Sequence, residues 1–211
     1  MENHYAILAV NADSHTAVTD VLVAARELDA PVIIETSLWQ LTGQSFGAGD
    51  PILGIDRYLA ALAALANSKE FLRLPVVYHT DHIKGSDTLR ILQHAMNAKA
   101  SSISLDSSDL SAEENVQLLG ELCEYAGARE LPATLEMEAG VDDGVTELAE
   151  TGDLFGAVEK SFPGYLALWA PGVGTQHGLA GDLNAFDPEA ISRHQAIASG
   201  IAERPIGIAL H

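Results

Sequence analysis

A single cysteine, Cys123, leaves the chain without any internal disulfide, so a cross-linked secreted scaffold is excluded. No stretch of the 211 residues is apolar and uncharged over the roughly 18 positions that a membrane-crossing helix needs. The first five residues carry Glu2 and no basic cluster, so they do not read as a signal peptide. Cytoplasm is the expected location. Positive charge is also scarce. Lys69, Lys84, Lys99 and Lys160 are the only lysines, and 11 Lys and Arg face 30 Asp and Glu, for a formal net charge of -19. Nucleic acids and anionic membranes require a basic patch, so neither is expected as a partner. The acidic, lysine-poor composition suits solubility, and it suits high salt, where self-repulsion is screened. Low-complexity segments, charge blocks and linkers are absent as well, and 47% hydrophobic residues are enough for one core. A single domain over residues 1–211 is expected.

What recurs is a short apolar or β-branched run followed by a longer helical pattern. The runs are Tyr5–Ala12, Pro31–Thr36, Pro75–Asp81, Ser102–Asp106, Pro132–Glu138, Tyr165–Ala170 and Pro205–His211. Several, such as "APVIIET" and "LPVVYHTD", are almost continuously apolar, as strands covered on both faces must be. Helical patterns fall at Thr16–Leu28, Asp56–Ala66 and Asp87–Ala98. In the first of these, Val18, Leu22, Ala25 and Leu28 share one face. Ser111 with Glu114 forms a capping box, and Asp187-Pro188 gives an aspartate cap with proline at the first helical position. The alternation predicts an α/β fold of the TIM (β/α)8-barrel type, with a doubly wound sheet as the competing architecture.

The polar residues capable of chemistry collect where the runs end. "YHTDH" closes the third run with His79, Asp81 and His82; "SLDSS" closes the fourth with Asp106; "LEME" closes the fifth with Glu136 and Glu138. "GVGTQHG", carrying His177, follows the sixth, and His211 ends the seventh. Carboxyl ends of parallel barrel strands converge on one face, where active sites form. Three histidines that leave one coordination position open are a common catalytic zinc arrangement. His79 reads as a strand residue with a satisfied hydrogen bond, and His4, His15, His94 and His194 as surface or packing residues. Trp39 and Trp169 read as core or groove-lining.

Taken in order, "HTDH" at 79–82, "LDSSDLSAEEN" at 105–115, "EMEAG" at 136–140 and "GTQHG" at 174–178 resemble the motifs of class II fructose-bisphosphate aldolases. The match includes Asn11 and the "PVIIETS" segment, and it covers nearly the whole chain. The resemblance implies a barrel holding Zn2+ or a similar divalent ion on His82, His177 and His211. Glu138 and Asp106 are implied as ligands of a second or alternate metal position, and a monovalent cation is a further expectation. Asp81 is implied to handle the hydroxyl proton, and Asn11 and Ser37 to contact substrate. The implied reaction is reversible cleavage of a ketose bisphosphate to dihydroxyacetone phosphate and an aldehyde, as in glycolysis. A homo-oligomer is expected. None of the four lysines ends a predicted strand, in keeping with chemistry that forms no Schiff base.

Three features depart from the pattern. The glycine-rich segment after Glu138 is short, "AGVDDGVTE", and Asp142 is the nearest counterpart of the family's catalytic glutamate, one methylene shorter. "LAGDLNAFD" after "TQHG" carries neither the expected aromatic nor the lysine. The chain stops at His211, where the family continues into a phosphate loop and an eighth strand, so a barrel truncated after its seventh strand is expected. A non-catalytic partner subunit and an aldolase for another phosphorylated or sulfonated ketose stand as alternative functions.

Overall fold

The computed structural model describes residues 6–107, 110–132, 134–138, 144–174 and 187–210. The backbone falls into two compact units, Met1–Ile103 and Ser104–His211.

The first unit opens with β1 (Leu8–Asn11), α1 (His15–Glu27), β2 (Val32–Thr36), α2 (Leu38–Thr42) and α3 (Pro51–Ala66). It continues with β3 (Val76–Thr80) and α4 (Thr88–Asn97), and β4 (Ser102–Leu105) crosses its boundary. The second unit holds α5 (Ala112–Ala128), β5 (Thr134–Glu138), α6 (Leu148–Glu150), a π-helical turn (Thr151–Phe155) and α7 (Gly156–Ser161). β6 (Leu166–Ala170), α8 (Pro188–Ala202) and β7 (Gly207–Ile208) complete it. Seven strands follow one another in chain order, and the ladders β1–β2, β2–β3, β3–β4, β5–β6 and β6–β7 are parallel. A doubly wound sheet would reverse its strand order. This one does not.

Helices α1, α3, α5 and α8 begin where the sequence supplies a side-chain acceptor for the free backbone N–H groups of the first turn. Ser14 accepts from Ala17 N and starts α1. Asp50, followed by Pro51, accepts from Ile52 N and Leu53 N and starts α3, five residues earlier than the expected Asp56. Ser111 and Glu114 form the expected box on α5, and Asp187 caps α8 by accepting from Glu189 N. On α1, Val18, Leu22 and Ala25 are buried as expected, whereas Leu28 is its C-cap and 77% exposed.

The strands are covered as their composition requires. All four positions of β4 and the last four of β5 are buried. β7 is shorter than expected. After its two laddered residues the pairing continues through Ala209 N to Trp169 O, at 3.0 Å. Its entry is fixed from the side instead. Both terminal guanidinium nitrogens of Arg204 donate to the Glu159 carboxylate of α7, at 2.6 and 2.9 Å, and one also reaches Leu166 O at the start of β6. A bidentate pair of this kind carries geometry as well as energy. Trp169 is fully buried against Phe155, as a core residue should be, but Trp39 on α2 is 69% exposed and belongs to no core. Cys123 is buried, and burial pushes its thiol up to about 12, so it is inert at neutral pH.

Candidate functional site

In the first unit, three strand ends are aligned by register. Asn11 pairs with Glu35 between β1 and β2; Glu35 pairs with His79 and Thr36 with Thr80 between β2 and β3. The alignment brings three polar side chains together at the carboxyl ends of neighbouring strands. Asn11 Nδ2 donates to Glu35 Oε1 at 3.1 Å and to Asp81 Oδ2 at 3.0 Å. Its amide thus ties two carboxylates from two other strands. Asp81 is held from the backbone as well, because its N–H donates to Thr36 O at 2.9 Å. Below this layer, Tyr78 OH and Thr36 Oγ1 share a hydrogen bond of 2.7 Å, and Tyr58 OH donates to Ala12 O at 2.9 Å. Burial pushes both phenols above their ordinary range, so they act as neutral struts.

His82 follows Asp81 directly, with its Nε2 3.6 Å from Asp81 Oδ1. Its φ of +49° places a non-glycine residue in the left-handed region. Such backbone costs energy and persists where the surroundings impose it, commonly at functional sites. Ser37 is the N-cap of α2. Its N–H donates to Gln40 Oε1 at 2.8 Å, and its hydroxyl bonds the same oxygen. Ser37 therefore serves the start of a helix in this conformation. His79, read as a satisfied strand residue, is that: its Nδ1 lies 2.7 Å from Ser102 Oγ.

In the second unit, Asp106 follows β4 and Glu138 ends β5. They are 5% and 2% exposed, and carboxylate oxygens of the two lie within 4.8 Å of each other. Two buried anions at that spacing repel, which favours a cation or proton shared with them. Hard oxygen donors of this kind fit a divalent metal. The side chain and the main chain of Glu138 are both held. Ser104 Oγ donates to its Oε1 at 2.7 Å, and Asn115 Nδ2, from the buried face of α5, donates to its main-chain oxygen at 3.3 Å.

The structure thus brings Asn11 to Asp81, with His82 beside Asp81, in one unit, and Asp106 to Glu138 in the other. His177, His211 and Asp142 lie outside the described residues. Glu35, Ser104 and Asn115 were not singled out from the sequence. The signal for Asn115 was its place in "EEN" on the apolar side of a helix. The signal for Ser104 was a polar residue inside a fully covered strand. Glu35 lies within the matched "PVIIETS" segment, but its partners are set by strand register and were not legible. Lys69 and Lys99 sit in turns, Lys84 in a loop and Lys160 in α7, and none ends a strand.

Comparison with known proteins gives a consistent result. A fructose-bisphosphate aldolase from Treponema pallidum is 31% identical over 198 residues, covering 90% of this chain and 54% of its own length. A 6-phospho-5-dehydro-2-deoxy-D-gluconate aldolase from Bacillus licheniformis is 30% identical over 182 residues, covering 84% of this chain and 57% of its own. The chain thus spans a little over half the length of these curated relatives. The crystal structure of fructose-bisphosphate aldolase from Campylobacter jejuni superposes with a TM-score of 0.76 at 24% identity, covering 98% of this chain and 64% of that one. The fold is accordingly the α/β, TIM-barrel-type fold of these aldolases. The profile of the family described as fructose-bisphosphate aldolase class-II matches residues 1–211 from end to end, and the chain belongs to that family.

Proposed function

We propose that this chain carries the metal-binding and proton-transfer side of a divalent-metal-dependent aldolase site. The observation that carries this reading is the buried Asp106–Glu138 pair, with carboxylate oxygens within 4.8 Å at the ends of β4 and β5. His82 would join them as a nitrogen ligand, with His177 and His211 as the further histidines of the set. A bound divalent ion would supply Lewis-acid polarisation of a ketone oxygen.

The remaining chemistry belongs to the chain's own side chains. Cleavage of a 3,4-dihydroxy ketose breaks the C3–C4 bond, and its electron pair passes to the ketone half. The C4 hydroxyl must lose its proton as C4 becomes an aldehyde. Asp81 is the base for that proton, held in place by Asn11 and by its own N–H to Thr36 O. The released ketone half must gain a proton at C3, the role assigned to Asp142. Dihydroxyacetone phosphate and an aldehyde are the products of a ketose 1,6-bisphosphate. Asn11 and Ser37 would meet the substrate at the β1 and β2 ends. Ser37 would donate to substrate only by releasing Gln40. A second substrate reading is favoured by the Bacillus licheniformis relative, whose name describes a phosphorylated deoxyketose acid.

Elemental analysis of the purified chain, paired with cleavage assays on both substrate types, tests the proposal. We expect about one divalent ion per site and loss of most of it in His82→Ala and in His177→Ala. Asp81→Asn should keep the metal and the fold while turnover falls by about a hundredfold to ten-thousandfold. Unchanged metal content in both histidine variants would remove the metal assignment. A metal-loaded protein that cleaves neither substrate would favour a non-catalytic partner subunit.

A further inference from the structure

Strand β4 reads Ser-Ile-Ser-Leu and is buried at every position. Its two serines are two residues apart and therefore share one face of the sheet. A buried hydroxyl is costly unless it is hydrogen-bonded, and both of these are bonded, to different neighbours. Ser102 Oγ lies 2.7 Å from His79 Nδ1 of β3, and Ser104 Oγ donates to Glu138 Oε1 of β5 at the same distance. Ser104 has no exposed surface at all. It cannot be reached by solvent or substrate, so its influence runs through Glu138.

The terminal torsion of a glutamate is broad, and nothing intrinsic fixes the plane of its carboxylate. Asn115 anchors the Glu138 main chain but leaves that plane open. The Ser104 hydroxyl, mounted on a covered strand, selects one orientation. We propose that Ser104 is a positioning residue: it aims the Glu138 carboxylate at the cation that Glu138 and Asp106 hold. This rests on the metal-dependent reading above. A donor to a ligating carboxylate typically sets metal affinity within a range of about tenfold to hundredfold.

The test is a Co2+ titration of the metal-free full chain against a competing chelator, with melting curves of the same metal-free samples. Ser104→Ala should weaken Co2+ binding by about tenfold to hundredfold while still melting cooperatively. Ser102→Ala, the same change on the same strand and face, should leave Co2+ affinity at the unsubstituted level. Ser104→Thr, which keeps the hydroxyl, should recover most of the affinity. Co2+ binding by Ser104→Ala equal to that of the unsubstituted chain overturns the proposal, and so does equal weakening by the two alanine changes. If Ser104→Ala does not fold, Ser104→Thr decides: recovered affinity supports the role, and a folded protein with lost affinity overturns it. Failure of the unsubstituted chain to bind Co2+ would remove the metal-dependent reading and this inference together. Normal binding that is indifferent to position 104 would remove the inference alone.

Discussion

His194 is a residue with a consequence far from the strand ends. It sits on the buried face of α8, with Nδ1 2.7 Å from Thr151 Oγ1 on the π-helical turn, and its Nε2 has no well-formed hydrogen bond. Burial lowers the ring's pKa below its ordinary value. Arg193 adds to that effect, while the Thr146 backbone and Glu150 oppose it. The folded protein therefore binds this proton less readily than the unfolded chain. Where the unfolded state holds more protons, stability rises with pH. The neutral ring's contribution is complete above about pH 6.5 and is lost as pH falls from there towards the depressed folded pKa. Melting temperatures between pH 7.5 and 5.5 should fall more steeply for the unsubstituted chain than for His194→Gln. Parallel curves would mean that His194 takes its proton without resistance.

Among elements, the contact between α2 and α3 is the most exacting. Gly54 on α3 lies directly on the backbone of Leu41, and a methyl there would overlap the Leu41 carbonyl oxygen; Gly47, in the loop between, meets the same oxygen. Because the obstacle is backbone, it cannot swing aside. Gly54→Ala should cost about 1–3 kcal/mol as overpacking, read as a lower urea midpoint with an unchanged slope. A stability equal to that of the unsubstituted chain would show that α2 slides freely. How legible each element was follows from its length and its caps. α5 and α8 announced themselves through Ser111, Glu114 and Asp187-Pro188. The five-residue α2 and the five-residue π-helical turn are too short to show a period, and the latter contains Gly152 and runs into Gly156. At the strand ends, Asp81, His82, Asp106 and Glu138 were legible because parallel strands must present their carboxyl ends together. Glu35 and Ser104 were not. Their roles arise from which strands are neighbours and in what register, and one strand's residues do not encode that.

For the molecule as a whole, charge sets the terms. With 30 acidic against 11 basic side chains, the folded chain carries a net -19 that compaction must concentrate. Raising ionic strength from 0.1 to 1 M shortens the screening length from about 10 to about 3 Å. The melting temperature should therefore climb across that range, by about 2–4 °C for each kcal/mol of repulsion relieved. A flat or falling profile in NaCl would show that the acidic groups are spaced widely enough not to repel. The strand order has a different consequence, for the ribosome rather than the test tube. Each described ladder joins two strands that are consecutive in the chain. Across these ladders the growing chain needs no early strand held in reserve for a late partner. Each β-strand that emerges finds its template already in place, so loop closure stays short and few sticky edges wait unpaired during synthesis. Assembly of this sheet can follow translation from the first strand onward.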